Sequence, residues 1–233
     1  QALAIADDRK AAWIKWLPEL LADCYGILGT GPAYVYALTG YLADAPEVVE
    51  RETRSTQDWQ TYPTRHLRVL FNLQVLDALD LGTEELAAAW NDAYTFHQLP
   101  EFVADLAPVA EAILATPLPV FGDARLIDVL WFDPAVDQKS ALKQANNILQ
   151  GFGLDQGTPV NRLVAATTLA YVRNPELYRA KNGNADVLTA IVAAIPAGVR
   201  KGEVLLGQQE VRRSQADAAA GAALLDLFAA AGG

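Results

Sequence analysis

Apolar residues recur along this chain at intervals of three and four, with no long run of strict alternation, and this is the signature of helices buried along one face. Between Asp8 and Leu28, the residues Trp13, Leu17, Leu20, Leu21, Cys24 and Leu28 share one broad face. Pro18 falls inside this stretch, where it either kinks the helix or starts a second one. Gly29, Thr30 and Gly31 break the pattern, and Pro32 opens a helix to about Leu42. The stretch from Asp44 to Thr61 is polar around Trp59 and reads as a long loop. Pro63 begins a helix to about Leu79, with Leu67, Leu70, Phe71, Gln74, Val75 and Ala78 repeating at helical spacing.

Gly82 closes that helix, and Thr83 caps the next, which carries Glu84 and Glu85 in its first turn and runs to about His97. Pro100 starts another to about Thr116, and Pro117 and Pro119 mark a break. Asp123 is expected to cap a short helix through Trp131. Pro134 opens one ending near Gly151. Thr158 and Pro159 form a cap and first-turn pair for a helix to about Arg173. Two shorter helices follow, with a turn at Lys181 to Asn184, and an alanine-rich helix runs from Gly202 to Phe228. The expectation is an all-α chain, an irregular bundle of about nine to eleven helices. It divides softly into residues 1–116 and 117–233, the two parts packed as one domain.

Composition sharpens this picture. The 233 residues are 52% hydrophobic and 20% charged, which suits a packed core and excludes intrinsic disorder. Eighteen basic against 28 acidic residues leave a net charge of −10, so a nucleic-acid partner is not expected. The densest basic cluster, Arg51, Arg54, Arg65 and Arg68, is interrupted by Glu52. No apolar run is long enough to span a membrane, and a cytoplasmic location is expected. The chain has no Met and begins at Gln1, which raises the expectation of an excerpt from a longer protein; processing accounts for it equally well.

Candidate chemistry is sparse. There is no Walker loop, G-x-S-x-G, H-E-x-x-H or paired C-x-x-C. Cys24 is a candidate thiol with His66 or His97, but a lone cysteine on an apolar helix face reads foremost as a buried hydrophobe. The informative segment is Pro18-Glu19-Leu20-Leu21-Ala22-Asp23-Cys24-Tyr25-Gly26. Glu19 and Asp23, four apart, lie on one face of a helix. Two carboxylates so placed repel unless a cation or hydrogen bonds intervene, one use being a metal ligand with a supporting carboxylate. The plainer reading is that both face solvent or pair locally. Further on, Arg65 and Arg68 sit on adjacent turns, and Arg68 is positioned to reach back to a carboxylate such as Asp23.

Together these segments resemble a family. Glu19-x-x-Ala22-Asp23-x-x-Gly26 is similar to the E-x-x-A-D-x-x-G helix of gluzincin-type zinc metallopeptidases related to the CAAX prenyl proteases and the HtpX heat-shock proteases. Thr61-Tyr62-Pro63, followed by Arg68-Val69, is similar in order and spacing to that family's T-H-P element and its downstream Arg. The resemblance covers about residues 10 to 80. It implies that Glu19 is a third zinc ligand and that Asp23 and Arg68 support it. Two departures stand against catalysis by this chain: the H-E-x-x-H helix is missing, and Tyr62 replaces a His. Catalytic zinc takes three protein ligands, so Glu19 alone does not hold it. The expectation is the helical C-terminal portion of such a peptidase, inactive by itself. Zinc would belong to the full-length parent, with no cofactor in this chain and an upstream catalytic region or another protein as partner. The alternative is a non-catalytic helical scaffold or interaction module.

Overall fold

The computed structural model describes residues 5–49, 59–82, 84–94, 99–152, 154–155 and 158–181. His97, most of the turn expected at Lys181 to Asn184 and the helix expected from Gly202 lie outside the described residues. Within them the fold is all-α, with about ten helices. Its elements are α1 (Asp7–Thr30), α2 (Pro32–Leu42), α3 (Pro46–Val49), α4 (Arg65–Ala78), α5 (Glu84–Ala93) and α6 (Pro100–Ala115). Then come a two-residue antiparallel pair, β1 (Pro117–Leu118) with β2 (Ala124–Arg125), and α7 (Leu126–Val129), α8 (Lys139–Gln150) and α9 (Val160–Arg173). A last helical segment begins at 175.

The long first helix forms the axis of the core. Pro18 neither ends α1 nor starts a new helix: the helix continues through it, and the proline sits on the exposed side, where a missing backbone hydrogen bond is cheapest. Trp13, Trp16, Leu17, Leu20, Cys24 and Ile27 are buried along the other side. The chain leaves α1 through Gly31, whose φ of 63° and ψ of −147° suit only glycine. A Cβ there would also collide with the ring of Phe132. This sharp exit folds α2 back onto α1.

Helix α4 packs against α1, α2 and α6, while α9 packs against α8, α2 and α1. One continuous apolar cluster therefore draws on both sides of the expected boundary at 116, from Trp13 and Phe71 to Ala145 and Ala166. A second, smaller cluster lies between α2 and α5 and contains Leu42, Val69, Leu73, Trp90 and Tyr94.

Four aromatic rings lock the chain after the polar loop onto α1. Trp13, Trp16, Trp59 and Phe102 sit with neighbouring centroids 5.1–5.8 Å apart in edge-on and tilted arrangements. Trp16 Nε1 donates to the Gln60 carbonyl at 2.9 Å, and Lys15 Nζ donates to the Trp59 carbonyl. At the start of α1, Arg9 forks onto Asp105 of α6 at 2.7 and 3.1 Å, and Trp13 Nε1 donates to the same carboxylate at 3.0 Å.

Several expected helix starts are corrected. The helix after Pro63 begins at Arg65, because Thr64 accepts from the Leu67 N–H at 3.1 Å and is the cap. Asp123 is not a cap: it lies at φ 62° in the turn between β1 and β2, and α7 starts behind Arg125. Pro134 does open the next helical stretch, which ends at Gln150 before Gly151 as expected, but its first turn, Pro134–Gln138, is π-helical and leads into α8. Thr158 turns its hydroxyl onto the Asp155 carbonyl at 2.8 Å rather than capping α9. Helix α5 ends at Ala93, short of the expected position.

Candidate functional site

The two segments singled out by sequence meet where α1 crosses α4. Each helix contributes residues four apart, Glu19 and Asp23 from α1 and Arg68 and Asn72 from α4, so one turn of each faces the other. Arg68 Nε donates to Asp23 Oδ2 at 2.8 Å and Nη2 to Oδ1 at 2.6 Å, a bidentate fork. Its Nη1 lies 2.6 Å from Glu19 Oε1. One guanidinium thus joins both carboxylates of the motif.

Asp23 is wholly buried, and its side chain is saturated. Besides Arg68 it accepts from Asn72 Nδ2 at 2.8 Å and from the Tyr34 hydroxyl at 2.6 Å. Asn72 Nδ2 also donates to the Arg68 carbonyl at 2.8 Å. The Arg68 side chain is 14% exposed and that of Glu19 is 28% exposed, so burial grades outward from Asp23 to Glu19. Burial works against the Arg68 charge, but the hydrogen bond and charge of Asp23, with the charge of Glu19, outweigh it and hold the guanidinium above its ordinary value. Burial, followed by the Asp23 hydrogen bond, pushes the Tyr34 phenol up, so it stays a donor.

Tyr34 and Asn72 were not legible as site residues. Asn72 carried a signal in retrospect, one helical turn beyond Arg68. Tyr34 reaches the site because α2 folds back along α1. Its ring occupies the space where a side chain on Gly26 would begin. The last residue of the E-x-x-A-D-x-x-G motif therefore has a physical role: it opens the seat for the tyrosine that braces Asp23.

The other candidates fall elsewhere. Cys24 is fully buried in the main apolar cluster, where burial, then the nearby Asp23 charge, pushes its thiol well up, the opposite of an activated nucleophile. His66 is buried beside the second cluster, and its Nδ1 accepts from Trp90 Nε1 at 3.1 Å. Tyr62, at the position of the family's His, is exposed. Among the described residues, no three His, Cys, Asp or Glu side chains come together as a metal-binding set. Glu19 is a single prospective ligand already paired with Arg68, so the described residues do not by themselves fit a zinc ion. Among the described residues no helix is long and apolar enough to cross a membrane.

Comparison with known proteins gives no match to a family model, a curated protein or a solved structure.

Proposed function

We propose that this chain is the helical C-terminal portion of a gluzincin-like zinc metallopeptidase, with Glu19 as the third protein ligand of a zinc site whose histidines come from an H-E-x-x-H helix outside these 233 residues. The observation that supports this reading is the contact of Arg68 with Glu19 and Asp23. The resemblance rests on two short motifs, and Arg68 of the second reaches both carboxylates of the first. Pro18 and Ala22, which flank Glu19 on α1, are exposed, leaving that turn an open side.

In this arrangement the chain's own residues orient Glu19. Asp23 anchors Arg68, Tyr34 and Asn72 fix Asp23, and Arg68 holds Glu19 at the edge of the buried cluster. A bound zinc would supply Lewis-acid activation of water and carbonyl. The isolated chain is expected to cleave no peptide.

A second reading, a non-catalytic helical interaction module, is favoured by the saturation of Asp23, since a buried ion pair closed on itself serves equally to lock α1 to α4. One experiment separates the two. The upstream reading frame is sequenced, and the protein it encodes is purified with Glu19 intact and as Glu19→Gln. An H-E-x-x-H upstream, with zinc and peptidase activity both lost in Glu19→Gln, supports the peptidase reading. Full zinc content in the variant, or no such motif upstream, rejects it in favour of the module.

A further inference from the structure

At the C-terminal end of α1, a cleft of about 440 Å³ opens between α2, the turn from α4 to α5, the π turn and α9. Thr30, its only residue from α1, lies eleven positions from Glu19, about 16 Å along a helix. The volume is within the range of about 300–1,000 Å³ typical of small-molecule sites. Its floor is apolar and buried, formed by Pro32, Leu81, Phe132 and Leu169. The backbone around it is specialised: Asp80 and Gly82 are at positive φ in the turn from α4 to α5, and the π turn delivers Gln138 to the wall. Such π turns recur at functional sites.

The rim carries opposite charges. Arg173, at the end of α9, is exposed, and among the described residues its fork of five donors makes one hydrogen bond, to Asn146 Oδ1 at 3.3 Å. Glu84 and Glu85, on the first turn of α5, form the acidic part of the rim. The half-buried Tyr36 phenol feels both signs: burial, then the charge of Glu85, pushes it up, while Arg173 pulls it down. It remains a neutral donor within the cleft.

We propose that this cleft binds a short apolar peptide with both ends free, its carboxylate on Arg173, its ammonium on Glu85 and its side chains against the accessible apolar lining of Leu142 and Val172. A free amino acid carries both charges on one carbon, whereas an extended dipeptide separates them by about 7 Å. Arg173 at the end of α9 and Glu85 on the first turn of α5 come from different elements of the rim, which suits charges carried on separate atoms of an extended ligand. An Arg fork on a carboxylate gives both orientation and a charge-assisted bond. This inference does not depend on the reading of Glu19.

The test uses the purified 233-residue chain, titrated with Leu-Leu, with free Leu and with N-acetyl-Leu-Leu-amide. Binding is read by calorimetry and by amide shifts at Gly82 and Gln138. Saturable Leu-Leu binding is expected, with the capped ligand, which loses both charged hydrogen bonds, weaker by about a hundredfold or more, and free Leu weaker by about tenfold or more, the loss of one. The exposed substitutions Arg173→Gln and Glu85→Gln should each weaken Leu-Leu to the same degree while leaving unfolding unchanged. The proposal is overturned by an absence of saturable Leu-Leu binding at millimolar concentration. Equal affinity for the capped or single-residue ligand overturns it too, as does unchanged affinity in Arg173→Gln.

Discussion

The Tyr34 hydroxyl donates to Asp23 Oδ1 at 2.6 Å, a neutral phenol on a carboxylate that is wholly removed from water. Hydrogen bonds to charged groups contribute about 1.5–3 kcal/mol. Tyr34→Phe keeps the ring against Gly26 and removes only the donor, so urea unfolding should show a loss in that range with an unchanged m-value. A loss below about 0.5 kcal/mol, the scale of ordinary surface changes, would mean that the phenol contributes nothing to holding Asp23.

Removing one partner of a buried ion pair strands the other. Asp23→Asn and Arg68→Gln should each destabilise the chain by about 3–5 kcal/mol, with the Asp23 change at the lower end because the Arg68 it strands is not fully buried and keeps Glu19, whereas Arg68→Gln strands a wholly buried carboxylate. The double variant should cost far less than the sum of the two. Chemical denaturation of the four proteins checks this, and additive losses would show that the two side chains do not act as a pair.

Gly26 offers a test of sign. In an ordinary helix interior, Gly→Ala stabilises by about 0.8–1.0 kcal/mol. Here the new methyl collides with the Tyr34 ring, so Gly26→Ala should destabilise. With Tyr34→Ala as background the same change should recover its usual stabilising sign. A stabilising effect in both backgrounds would place the Tyr34 ring elsewhere.

Cys24 predicts an alkaline dependence. Its folded thiol is held well above the ordinary value, while the unfolded thiol titrates near about 8.5. As pH rises past that value the unfolded chain loses its thiol proton and the folded chain keeps it, so stability falls with rising pH. Cys24→Ala should flatten stability against pH between about 8 and 10, at the cost of some core packing. Native Cys24 should react with a thiol reagent only as fast as the fold opens; rapid stoichiometric labelling would contradict its burial.

How much of this was legible follows from the physics of each signal. The helices were legible because an apolar stripe at a spacing of three and four is a local property, and α6 and α9 follow it closely. Helix starts were less so. Thr64, Asp123 and Thr158 all have side chains able to cap, and which one does is decided by backbone geometry that neighbouring elements impose. The link from Arg68 to Asp23 was legible because an arginine on one amphipathic helix needs a partner and a carboxylate on another needs a cation. Tyr34 was hidden, since its role depends on the reversal at Gly31, a tertiary event. The cleft was invisible for the same reason, its wall coming from five separate stretches of chain.

The π turn at Pro134–Gln138 has a consequence for how the chain can change in length. A π turn holds one residue more than an α-turn, so it absorbs an extra residue without turning the helix that follows, and deleting one there would restore regular winding with α8 in nearly the same phase. The loss would be local: Asp137 accepts from the Asp133 N–H at 2.9 Å and from Arg162 of α9, and Gln138 reaches the cleft wall, and those placements depend on the wider turn. A single-residue deletion, which would turn a regular helix by about 100°, is therefore expected here to leave α8 seated against α9 and to cost the turn its own contacts. The turn works as slack in the chain, a place where length can change while the helix behind it keeps its setting.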